Sequence, residues 1–135
     1  MLTTHHYFSN ALGTLEYLPD SYVYLRWSGK APTSLELRAL YIHARNLLER
    51  TNLCCLLVDH RALPAAFDAA DQEWLLTRWL PETTAHTHCN RYAVLPALEP
   101  THRLHTDPVI AKFRCYFSVA LFEDLNQATA WLQTT

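Results

Sequence analysis

The period of the apolar residues changes along this chain, and each change marks an element. Tyr7–Leu12, Thr14–Leu18 and Tyr22–Trp27 are short runs rich in aromatic and branched residues, separated by Gly13 and by Pro19 and Asp20. Consecutive antiparallel strands joined by tight turns have this spacing. In the third run Val23, Leu25 and Trp27 alternate with Tyr22, Tyr24 and Arg26. One face is predicted to enter the core and the other to be at least partly wet.

The period then lengthens to that of a helix. Thr33 with Glu36 forms a capping box ahead of Leu37, Leu40, Tyr41, Ala44, Leu47 and Leu48. Leu53–Val58 is apolar at every position and bounded by Asn52 and Asp59, which predicts a central strand covered on both faces. Asp68 or Asp71 can start a helix carrying Trp74, Leu75 and Trp79, and Pro81 should end or kink it. Arg91–Leu95 reads as the next strand and Pro96–Thr106 as a proline-punctuated loop. Asp107 followed by Pro108 starts a helix through about Cys115. Phe117–Phe122 is the last strand, and Asp124 caps Leu125–Leu132, whose Leu125, Ala128, Trp131 and Leu132 share one face and pack a tryptophan onto the sheet. Strands separated by helices run parallel through right-handed crossovers, so the predicted fold is α/β: a mixed β-sheet with three N-terminal antiparallel strands, covered by about four helices.

Composition adds limits. At 135 residues, half of them hydrophobic, the chain suits a single domain over 1–135 with no internal repeat or linker. Its 11 basic and 13 acidic residues are scattered, so no basic block exists to neutralise phosphates or hold an anionic membrane, and nucleic acid is not expected as a partner. Cys54 and Cys55 are neighbours in a strand pattern and point to opposite faces, so all four cysteines are expected as thiols. The N-terminal residues lack the pattern of a signal peptide and no apolar run reaches membrane-spanning length, which makes a reducing cytoplasm the expected location.

With its order of elements, the Trp27-Ser28-Gly29 end of the third strand, the Leu56–Asp59 stretch of the central strand, and Phe122, Asp124, Ala128, Trp131 and Leu132 at its end, the chain resembles the STAS-like domains of anti-sigma-factor antagonists and small bacterial relatives. The resemblance spans almost the whole chain. It implies a fold and a style of function, partner binding without catalysis. In those antagonists a serine or threonine after the central strand is phosphorylated, whereas Asp59–Leu76 here contains no serine, threonine or tyrosine. That switch is not expected at this position.

Candidate chemistry is sparse. Asp59, His60 and Arg61 stand at the carboxyl end of a predicted parallel strand, where open α/β sheets place ligands. Arg61 suits a carboxylate or phosphate, and His60 is expected to titrate near neutral pH; the plainer alternative is a turn cap beside solvated neighbours. Tyr22 and Tyr24 on an outer face, with Tyr7 and Tyr17 on adjoining strands, suggest a patch for a protein partner or a second copy. Trp74, Trp79 and Phe113 suggest either core packing or a pocket for an apolar ligand. His86, His88 and Cys89, with His102 and His105, have zinc-ligand chemistry but no recognised spacing, and His5-His6 is weaker still. Cys89 has Arg91 close by as a group able to lower its pKa. Glu73 with Glu82, or Asp68 with Asp71, read as solvated or capping residues. Two isolated glycines, Gly13 and Gly29, exclude a nucleophile elbow, a Walker loop and a dinucleotide fingerprint.

The expected function is a non-enzymatic regulatory or interaction module, plausibly a homodimer, with no metal and no cofactor. A small carrier of an apolar or lipid-like ligand is the first alternative, and a metal-dependent hydrolase built on loop histidines the second. A large apolar cavity would favour the carrier, and clustered imidazole and thiol groups the hydrolase.

Overall fold

The computed structural model describes residues 3–31, 33–64, 67–99 and 107–134, the side chain of Asp107 excepted. His102, His105 and the capping group of Asp107 therefore lie outside the described residues. The elements are β1 His5–Ser9, β2 Gly13–Leu18, β3 Tyr22–Trp27, α1 Ser34–Thr51, β4 Cys55–Asp59, a helix α2 over residues 69–86, β5 Arg91–Leu95, α3 Asp107–Phe113, β6 Ser118–Leu121 and α4 Leu125–Leu132. Six strands form one sheet in the order of the chain; β1, β2 and β3 pair antiparallel, and β3 to β6 run parallel. The predicted α/β class and mixed sheet are what the structure shows, with four helices among the described residues.

Local chemistry explains most boundaries. Asn10 accepts from the amides of Leu12 and Gly13 through its side-chain oxygen, which turns the chain after Ser9 and places residues 10–12 outside β1. A Cβ on Gly13 would stand 2.7 Å from the Arg26 carbonyl oxygen, so only glycine lets β2 approach β3 at this point. The capping box opens α1 as expected: Thr33 Oγ1 accepts from the Glu36 amide and donates to its carboxylate. Asn52, in the left-handed conformation, closes α1.

Of the two outcomes expected at Pro81, an end or a kink, the end does not occur in α2. Ala69–Trp74 is α-helical, Leu75–Trp79 widens into a π-turn, and Leu80–His86 continues as α-helix. The Leu80 amide donates to the Leu75 carbonyl five residues back, and this wider register carries the chain past the proline ring, which has no amide to donate.

Sequential strand order with crossovers of the usual hand puts α1, α2 and α3 on one face of the sheet. That face holds the larger core, in which Leu15, Val23, Leu25, Trp27, Leu56, Val58, Tyr92 and Val94 meet Leu37, Leu40, Tyr41, Leu75, Trp79 and Phe113. The opposite face carries Leu18, Tyr22, Tyr24, Cys55, Leu57, Ala93 and Leu95, covered by α4 through Ala128 and Leu132. Trp131 is only half-buried at the border, against Phe122 and beneath the Arg91 guanidinium. Cys54 is exposed and Cys55 buried, as their opposite orientations require, and all four cysteines are free.

The faces redistribute the tyrosines. Tyr17 stands opposite Val23, on the three-helix side, whereas Tyr22 and Tyr24 are buried on the α4 side. Tyr7 packs at the margin of the larger core, beneath the Arg50 guanidinium. The four do not form one surface. The sequence places Tyr22 and Tyr24 on a partly wet face because nothing in β3 itself reveals that α4, nearly a hundred residues later, returns to cover it.

Candidate functional site

The carboxyl ends of β3, β4 and β5 gather a set of polar groups whose positions follow from register. Arg26 stands beside Asp59 across the β3–β4 pair, Asp59 beside Leu95, and Glu16 beside Tyr24. All point to the α4 face, where Tyr24 and Leu95 join the core that the helix covers. Asp59 is buried, yet both its oxygens are engaged. Oδ1 accepts from the Arg61 amide and Nε, each at 3.0 Å, and Oδ2 accepts from Arg61 Nη2 and the Tyr24 hydroxyl, each at 2.9 Å. Arg26 continues the row, pairing with Glu16 at 3.2 Å and lying over the Tyr24 ring.

These contacts fix the protonation states. Burial pushes the Asp59 carboxyl up, but the hydrogen bonds from Arg61 and Tyr24 and the Arg61 charge outweigh it and hold the group below its usual range. Burial and the neighbouring Asp59 charge raise the Tyr24 hydroxyl far above the ordinary phenol range. The hydrogen bonds to Asp59 raise Arg61. The network is a salt bridge with a phenol donor, fully charged at neutral pH.

His60 faces the other way. Its amide donates to the Leu95 carbonyl and its carbonyl accepts from Leu63, pinning the turn. The imidazole enters the larger core between Trp27 and Phe67, at ring-centroid distances of 6.0 and 5.8 Å. Burial drives its pKa down to about 4, against a smaller upward pull from Asp59. The expectation of a neutral-pH titration is thus corrected, and the reason is that the residue after Asp59 must point to the opposite side of the sheet. Neither is His60 a solvated neighbour. Nδ1 of His60 and Nε1 of Trp27 are buried without a hydrogen-bond partner among the described residues. Arg61 is 37 % exposed at its side chain; its Nε and Nη2 are held by Asp59, which fixes the guanidinium against the carboxylate and leaves Nη1 without a bond to this network.

Of the two readings of Trp74, Trp79 and Phe113, core packing is the one that Trp79 and Phe113 follow. Trp79 and Phe113 stack at 5.8 Å and are fully buried, and Trp79 Nε1 donates to the Tyr41 carbonyl at 2.6 Å. Trp74 lies apart, half-buried beneath the Arg38 guanidinium. The space enclosed by Tyr41, His60, Phe67, Tyr92, Val109, Ile110 and Phe113 is about 10 Å³. That is room for about one water-sized probe and far below the several hundred Å³ of a ligand pocket.

The remaining candidates separate. His86 and His88 are exposed while Cys89 is buried, and no group of three histidine, cysteine or acidic side chains among the described residues is placed to hold a metal ion. Burial raises the Cys89 thiol well above its ordinary value, and Arg91 cannot reverse this because its guanidinium is tied to the Trp131 and Thr134 carbonyls at 3.0 and 2.8 Å. Asp68 caps α2, as expected of it, by accepting from the Asp71 amide at 2.8 Å. Asp71 is buried instead of solvated, and accepts from Ser34 Oγ at 2.9 Å and Arg38 Nε at 3.1 Å. Glu82 pairs with Arg45.

The sequence pattern alone missed Glu16, Tyr24 and Arg26 as parts of the Asp59 network. Arg26 is the one charged residue in the apolar run of β3 and Asp59 the one in that of β4, each near the carboxyl end of its strand, and that shared position is the sequence signal that the two meet in a parallel pair. No helix among the described residues is long and apolar enough to cross a membrane. Comparison with protein-family models, curated proteins and solved structures gives no match to this chain.

Proposed function

We propose that this chain is a non-catalytic regulatory or interaction module of the STAS-like kind that its element order resembles, binding a protein partner or a second copy of itself. The observation that carries the reading is the closure of the strand-end triad. A general base must reach its substrate with a free lone pair and a pKa near the working pH. Asp59 has both oxygens occupied by groups of its own chain, and His60 is turned into the core with its pKa near 4. The position where an open sheet offers ligands is therefore spent on internal structure, which favours recognition by the exterior.

The test pairs turnover with assembly. Wild-type protein and His60→Phe are incubated with phosphate esters, carboxylic esters and amides, and the wild type is also sedimented over a range of concentrations. The reading predicts rates equal to buffer for both proteins and concentration-dependent dimers. Turnover by the wild type that disappears in His60→Phe overturns it, and a monomer at every concentration removes the self-association.

A further inference from the structure

Helix α1 and helix α2 face each other with stripes set by helical spacing. Arg38, Ile42, Arg45 and Glu49 recur at three to four residues on one, and Trp74, Arg78, Glu82 and His86 at four on the other. Between them lies a groove of about 320 Å³ lined by Arg38, Ile42, Arg45, Trp74, Arg78 and Glu82. It adjoins a second concavity of about 410 Å³, to which Arg45 and Glu82 also contribute. The first volume is the size of a small-molecule site.

The charges here run against the balance of the whole chain, whose net charge is −2. Three guanidinium groups line the first groove against one carboxylate, Glu82. Asp71 balances Arg38 from below and Glu82 balances Arg45, while Arg78 is exposed and has no carboxylate partner among the described residues. The Arg38 guanidinium lies over Trp74, its centre 5.4 Å from the ring centroid, which fixes one wall. The π-turn over Leu75–Trp79 sets the other wall, since Arg78 belongs to it. Such turns are frequent at functional sites.

We propose that this groove binds a small molecule carrying a phosphate or carboxylate group, held by Arg78 and Arg45, with the Glu82 carboxylate occupying the position of the ligand's oxyanion until it is displaced. Planar guanidinium groups match both kinds of oxyanion through paired N–H donors. Nothing in this site belongs to the Asp59 network, so it stands independently of the module reading.

The test is an NMR titration of the full chain at low ionic strength, following the arginine Nε–H resonances with inorganic phosphate in one arm and citrate in the other. Saturable shifts are expected in at least one arm, and the preferred anion identifies the source of the oxyanion. Arg78→Gln should weaken binding about ten-fold or more, as loss of a charge-assisted donor requires. Glu82→Gln should tighten it by about three-fold, because the internal competitor is gone. Lys30→Gln, which removes a distant exposed charge, should leave it unchanged. Shifts that never saturate, or equal weakening in Arg78→Gln and Lys30→Gln, would overturn the proposal. Should Glu82→Gln fail to fold, Arg45→Lys keeps the charge and loses the fork, and unchanged affinity in that variant would count against the site equally.

Discussion

The two faces of the sheet solve burial differently. Beneath α1, α2 and α3 the sheet meets a thick aromatic and aliphatic layer in which Tyr41, Trp79, Tyr92 and Phe113 meet edge to face or stacked, with Trp27 tilted against Tyr41. On the α4 side it meets one eight-residue helix, and at the strand ends a polar row completes the cover: Glu16, Arg26, Asp59 and Arg61, with the Tyr24 hydroxyl donating to Asp59. The first face stabilises by area removed from water, the second by satisfying groups that would be costly to bury alone. A fold that lacks a helix at one corner can finish it with a salt bridge.

Breaking the thick face should cost most. Trp79→Ala removes a fully buried indole, its stacking on Phe113 and its hydrogen bond to Tyr41, and is expected to lower stability by about 3–5 kcal/mol in urea unfolding. The next effect probes the boundary between the faces through pH. Because the folded-state pKa of His60 is depressed to about 4, the unfolded chain binds the extra proton between about pH 6.5 and 4. Stability should therefore fall as pH drops through that window, by at most about 3 kcal/mol, and the slope should vanish in His60→Phe.

The charged corner should respond less. Tyr24→Phe deletes one donor to a buried carboxylate and is expected to cost about 2 kcal/mol above pH 5. The Asp59 pKa is lowered on folding, so its stabilising contribution is present above the unfolded value and disappears as pH falls through the folded one. The difference between Tyr24→Phe and wild type should shrink in the same acid range. Thr33→Ala, which loses the α1 cap, should cost about 1 kcal/mol by thermal unfolding. Glu16→Gln breaks a pair whose arginine is half exposed, and its effect should stay below about 1 kcal/mol and fade in salt. A Glu16→Gln effect as large as that of Trp79→Ala would erase the distinction between the faces.

Legibility in the sequence followed the range of the interactions. The α1 capping box, the Asp124 cap and the apolar run of β4 are local signals, and each element lies where they put it within a residue or two. The misplaced end of β1 was also local: Asn10 turns the chain by its own side chain, a signal present in the sequence but outweighed by the apolar pattern continuing to Leu12. Passage through Pro81 depends on a π-turn, for which short sequence patterns hold no signal. At the candidate site, the position of Asp59, His60 and Arg61 at a strand end was readable. Their orientations were not, because the pairing of Arg26 with Asp59 depends on register and the coverage of Tyr24 on a helix far away in sequence.

At the end of β4 the Asp59 carboxylate is satisfied by its own chain and the His60 imidazole is turned into the core. Nitrogen-15 NMR of the His60 imidazole across pH 3–8 tests this most directly. The predicted result is a neutral ring down to about pH 5 with a midpoint near 4. A midpoint at or above 6.5, the value of a solvated histidine, would show an accessible base at the end of β4 and contradict the account.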